Sequence, residues 1–153
     1  MDKAKQGAGL MVLGGALLVI GSFLDWAEVS DPSSGLGDSE TGIGGGDGWF
    51  TLIFGAALLL VGYLIYAGQA ANSPKWLGWL GWAGAVLGLA LAVFEFTDIN
   101  SDLDTIKALG LDGSLGIGVW LIIAGGVLGL IGAIMAKPHA AFGGATPPPP
   151  PAA

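Results

Sequence analysis

A chain of 153 residues is long enough for one domain. Its composition, 53% hydrophobic and 11% charged with a mean hydropathy of +0.73, excludes an ordinary water-soluble core. A net charge of −7 with five Lys and no Arg excludes a phosphate-gripping nucleic-acid surface, and zero Cys removes disulfides, thiolate chemistry and cysteine metal sites.

In chain order, residues 1–6 carry Lys3 and Lys5 and precede an uncharged run from Gly7 to Leu24. Three more uncharged runs follow: Gly48 to Pro74, Trp76 to Phe94 and Gly113 to Ala136. About 18 helical residues span roughly 27 Å, close to the hydrocarbon thickness of a bilayer, so each run can cross it. The first run also resembles a signal peptide, but "SFLDW" lacks small residues at cleavage spacing, which favours an uncleaved anchor.

The expected spans are about 7–25, 48–67, 76–95 and 117–136, within a membrane domain of 7–136. Outer connections cover about 26–47 and 96–116, an inner one 68–75, and a Pro-rich tail 137–153. With four spans, Lys3, Lys5, Lys75 and Lys137 share one side and only Lys107 falls on the other, so the positive-inside rule predicts both termini cytoplasmic. Eleven of the twelve acids, all but Asp2, then fall on the outer side. Trp26, Trp49, Trp76 and Trp120 lie near predicted span ends and read as interfacial anchors.

"FLDWAEVS" ends the first span, and a shift of 70 residues lays it over "VFEFTDIN", pairing Asp25 with Glu95 and Trp26 with Phe96. The shift also matches Gly14 with Gly84 and Gly55 with Gly125. The fold expected is therefore an all-α membrane protein of four transmembrane helices, arranged as two tandem hairpins about a pseudo-two-fold axis along the membrane normal. Segments such as "WAEVS" are short-strand candidates in the long outer loops. Gly84, Gly88 and Ala92 in the third span, and Gly125, Gly129 and Ala133 in the fourth, form small-residue stripes for helix packing, within the unit or against a partner.

Chemistry has few places to reside. "GIGGGDG" lacks the Lys and Ser/Thr of a phosphate loop. Asp98, Asn100, Asp102 and Asp104 alternate like the start of a calcium loop, but Leu103 and Leu109 replace the required Gly and Glu, leaving a weak metal candidate. The single His, His139, lies in the tail, so no hydrolytic constellation forms and no enzyme activity or cofactor is expected. Span interiors lack charge, whereas proton-coupled exporters keep a buried carboxylate; Asp25 and Glu95 are the nearest candidates for an ion or proton site. Five consecutive prolines in the tail suit a proline-recognition partner or an unstructured terminus.

Together, "GSFLDWAEVS", "GDGWFTLIFGAALLLVGYL" and "LGIGVWLIIAGGVLGLIGAI" resemble small four-span membrane proteins of high-GC Gram-positive bacteria. That resemblance implies a plasma-membrane location and no particular activity. Two outer loops over four helices are also similar to the claudin plan, without its loop cysteines. The expected role is a non-catalytic accessory or structural subunit of a larger membrane or envelope complex, in contact with lipid and with other membrane proteins or its own copies. The alternative is a small transporter or ion-binding protein using Asp25 and Glu95.

Overall fold

The computed structural model of the chain describes residues 2–144. Its elements are α1 (Lys3–Phe23), β1 (Asp25–Ser30), β2 (Gly37–Thr41), α2 (Gly42–Gly45), α3 (Gly48–Tyr66), a 3-10 turn (Ala70–Asn72), α4 (Trp76–Ala108), β3 (Asp112–Leu115), α5 (Ile117–Ala136) and α6 (Pro138–Ala141). The fold is mainly helical, and α1, α3, α4 and α5 are each long and apolar enough to cross a membrane. The proline run 147–151, expected as an extended segment, lies outside the described residues.

α1 starts at Lys3, earlier than Gly7, because the Asp2 carboxylate accepts the backbone N–H of Ala4 and caps the first turn. α3 ends where Gly68 takes a φ of 72°, letting Gln69 and Gly68 donate to the carbonyls of Leu64 and Ile65. That Schellman closure satisfies carbonyls left free at the helix end.

α1 packs against both α3 and α5, and α4 closes the bundle against the same two helices. Glycines set how closely the backbones approach. Gly7, Gly14 and Gly21 recur every seven residues on α1, as do Gly118, Gly125 and Gly132 on α5. Antiparallel packing brings the rows together: a Cβ at Gly14 would lie 2.5 Å from the Gly129 nitrogen, and one at Gly132 2.6 Å from the Gly7 oxygen. A seven-residue repeat keeps one face of each helix on the shared seam, and close backbone approach supplies the dispersion that replaces hydrophobic driving force in lipid.

The small-residue stripes face inward. A Cβ at Gly84 would meet the Phe54 carbonyl on α3, and one at Gly88 would meet Leu18 on α1. Gly125 faces Gly14, Gly129 faces Leu58, and Ala92 and Ala133 are fully buried. Near the sheet, Ser22 on α1 and Thr51 on α3 join their hydroxyls at 2.6 Å, both buried.

One end of the bundle carries an antiparallel sheet of order β2-β1-β3. "WAEVS" is therefore a strand, with Ala27 opposite Glu40 on one side and Leu115 on the other, and a register shift at Trp26. β3 leads into α5 and pairs with β1 as it leaves α1, which ties the two most closely packed helices together at this end.

The connection expected over 96–116 is different. Residues 96–108 continue α4, which reaches 33 residues, about 50 Å at 1.5 Å per residue and well beyond a hydrocarbon core of about 30 Å. No Gly or Pro interrupts the chain between Gly88 and Gly110. Phe96, Ile99, Leu103 and Ile106 recur at helical spacing; Phe96 and Ile99 pack on the core, Leu103 is buried, and Leu103 and the half-buried Ile106 lie against Gly113 of β3. The helix stops at Gly110, whose φ of 85° lets Leu111 and Gly110 donate to Ile106 and Lys107 in a second Schellman closure.

The opposite end is also more ordered than a free tail. Lys137 adopts a left-handed φ of 48°, reversing the chain into α6. Pro138 packs on Gly78, Phe142 is buried, and the Trp82 indole donates to His139 Nδ1 at 2.9 Å.

Candidate functional site

Two side chains define the floor of the sheet end. Trp26, expected at the lipid boundary, is 5% exposed and donates its indole N–H to the Gly21 carbonyl at 2.8 Å. The register shift in β1 turns this ring inward over the bundle, against Gly42 and Gly118, where any side chain would collide with it. Trp49, Trp76 and Trp120 differ from it, each more than half exposed.

Glu95 is the second. Its carboxylate was expected to leave lipid into water, yet it is 4% exposed, and its Oε1 is buried without a hydrogen-bond partner among the described residues. The continuation of α4 is the cause. Because the helix does not end at residue 95, the next turns and the sheet enclose the side chain.

Above Glu95 lies a cleft of about 200 Å³ between the sheet, α2 and α4. Five acids line it: Glu95, Asp98 and Asp102 from α4, Glu40 from β2 and Asp47 beside α3. Spacings of three and four residues put the first three on one helical face. A groove of about 380 Å³ continues from it along α4, sharing Ala27, Glu40, Ile99 and Asp102 and adding Val29, Leu103 and Ile106.

The alternating acids are split by the helix. Asp98 and Asp102 line the cleft, whereas Asn100 and Asp104 do not, because alternate positions point about 200° apart on a helix. Among the described residues, no three acidic or His side chains are grouped so as to hold a metal ion. Asp25 and Glu95 are not brought together either. Asp25 opens β1, half-buried, and lines a wider cleft with Glu28, Asp38 and Asp112.

At the tip of the β1–β2 connection, the Asp31 carboxylate accepts from the Ser33 hydroxyl at 2.7 Å, the Ser33 N–H at 2.8 Å and the Ser34 hydroxyl at 2.8 Å. Those donors, the Ser33 hydroxyl foremost, hold its carboxyl below the ordinary value of 3.8.

A family described as a domain of unknown function, DUF4386, matches residues 43–125, more than half of the chain and everything from α2 to the middle of α5. The chain belongs to the DUF4386 family. That stretch contains Asp47, Glu95, Asp98 and Asp102, while Trp26 and Glu40 lie outside it. No curated protein and no solved structure matches the chain.

The acid spacing 95, 98, 102 was present in the sequence as a signal for the cleft. The apolar positions 96, 99, 103 and 106 were the signal for the helix that builds it. Trp26 carried no comparable sign, since its burial depends on a register shift and on two distant glycines.

Proposed function

We propose that this chain is a non-catalytic subunit of a larger membrane or cell-envelope assembly, seated in the plasma membrane with both termini cytoplasmic. The observation that carries the reading is the open edge of the sheet. β2 lies outermost, its residues Gly37 to Glu40 are exposed, and it presents backbone donors and acceptors at the acidic end. A free edge of this kind accepts an added strand from another protein.

Further support comes from the placement of chemistry. His139 packs on Trp82 at the end of the bundle opposite the sheet and the acids of the cleft. Lys3, Lys5, Lys75 and Lys137 sit at that same end, which favours the cytoplasm for it. The resemblance to four-span proteins of high-GC Gram-positive bacteria agrees with the location. Two tandem hairpins, α1 with α3 and α4 with α5, remain part of the proposal, supported by the 70-residue offset.

Isolation from native membranes in gentle detergent tests the reading. A stable partner, or a second copy, should accompany the wild type and be depleted when Asp38→Lys reverses the charge of the β2 edge. A consistently lone monomer contradicts it.

A second reading, cation handling, is favoured by the unpartnered Glu95 oxygen, since a carboxylate buried this way is costly unless a ligand or proton uses it. Cation- or proton-coupled flux in proteoliposomes should then vanish with Glu95→Gln. Unchanged flux removes that reading.

A further inference from the structure

The cleft above Glu95 has the features of a ligand site that the chain itself leaves incomplete. Glu95 is more than nine-tenths buried, one of its oxygens has no partner among the described residues, and it lies on the floor of a cavity walled by four other carboxylates. The only base in the sequence between Lys75 and Lys137 is Lys107, in the last turn of α4 and exposed, three turns beyond Glu95. A buried carboxylate in this setting calls for a cationic hydrogen-bond donor from outside.

The shape of the site narrows the class. A bare divalent ion needs several oxygens on one point, at 2.0 to about 2.6 Å, and no such group of three acidic side chains exists among the described residues. The acids are instead strung out, from Glu95 and Asp98 in the cleft to Glu40 and Asp102 where it meets the groove. Between and beyond them Ala27, Val29, Ile99, Leu103 and Ile106 supply apolar wall, with Asp38 and Ser39 of β2 adding a further acid and a hydroxyl to the groove. Charges set apart along a channel, with hydrocarbon between, complement a ligand of ammonium groups joined by methylene chains.

We propose that the cleft and groove bind a linear aliphatic polyamine, with one ammonium donating to Glu95, the methylenes lying on Ile99 and Ala27, and a second ammonium reaching Asp102 and Glu40. This rests on the cation-handling reading and deepens it by naming the ligand class. The five-carboxylate lining raises the local concentration of multivalent cations, and Glu95 supplies the desolvated contact that separates specific capture from surface attraction.

Calorimetric titration of the full chain in nanodiscs with spermidine is the test. Saturable one-to-one binding is expected, weakened at least tenfold by Glu95→Gln. Asp102→Asn should weaken spermidine several-fold while leaving the monoamine butylamine unchanged, because only the longer ligand reaches that position. Asp25→Asn, in the other cleft, should bind as the wild type does, and calcium at equal charge concentration should not displace the amine. Equal binding by wild type and Glu95→Gln, or displacement by calcium, overturns the proposal. Should Glu95→Gln fail to fold, the pair Asp98→Asn with Asp102→Asn replaces it, and unchanged binding there also overturns the proposal. Binding without any flux in proteoliposomes upholds the site and removes only transport. Flux that depends on Glu95 without polyamine binding does the reverse.

Discussion

Residues 24–31 and 94–101 look alike in sequence, each an acid, an aromatic and a second acid at the end of an apolar run, yet one becomes a strand and the other stays helical. In the first, Leu24 turns extended and "DPSSG" follows within a few residues, so the helix stops and β1 pairs on both sides. In the second, no Gly or Pro follows for a dozen residues, and Phe96, Ile99, Leu103 and Ile106 keep an apolar stripe on the helical face. The acid that ends an uncharged run thus marks a change of solvent, not necessarily of secondary structure. The continuation beyond that point decides which.

Their matched aromatics should separate most clearly. Trp26 plugs the bundle, whereas Phe96 is half-buried at the edge of the core and meets Trp120 edge-on, with ring centroids 5.7 Å apart. Trp26→Ala is expected to cost about 3–5 kcal/mol, in the range for a buried aromatic truncation. Phe96→Ala should cost clearly less, nearer the ~0.5–1.5 kcal/mol of an aromatic pair plus its partial burial. Reversible unfolding in mixed micelles compares the two, and equal losses would erase the contrast.

Proline at Thr97 asks the same question of the backbone. In an interior turn of α4 it removes a hydrogen bond and clashes with the preceding turn, so a loss of about 3 kcal/mol and of helical circular dichroism is expected. A tolerated Thr97→Pro would mean that the second stretch leaves the helix as the first does.

The smallest effect concerns the turn that follows β1, which has no counterpart after residue 101. Asp31 accepts three hydrogen bonds there, and its carboxyl is held below 3.8. A depressed carboxylate stabilises the folded turn above its ordinary value, and that contribution disappears as the pH falls through the lower folded value. Protection of the Ser33 amide, its exchange relative to the intrinsic rate at each pH, should therefore fall only at acid pH in the wild type, and be low at all pH values in Asp31→Ala. Identical exchange in both would remove the capping role.

Much of this was legible in the chain. Four apolar runs of spanning length gave four helices, because that signal is local, and "WAEVS", a strand candidate from its place in a long loop, became β1. The extension of α4 was less visible, since Glu95, Asp98, Asp102 and Asp104 interrupt the run that hydropathy measures while leaving helical periodicity intact. At alternate spacing the acids suit a loop; at helical spacing, 95, 98 and 102 gather and 100 and 104 depart. The glycine seam was equally local in form, at intervals of seven, although its partner row became evident only once α1 and α5 were side by side. Burial of Trp26 and docking of Phe142 depend on residues far apart in sequence, and no local pattern encodes them.

The central claim is that α4 continues past Glu95 as a helix and forms one wall of the acidic cleft. A chain without native cysteine allows a direct test by single cysteine substitutions from 94 to 108, labelled in proteoliposomes with a membrane-impermeant maleimide. Protection recurring at 95, 99, 103 and 106, with labelling at 97, 101, 104 and 105, is the predicted pattern. Uniform labelling from 96 onward would contradict it.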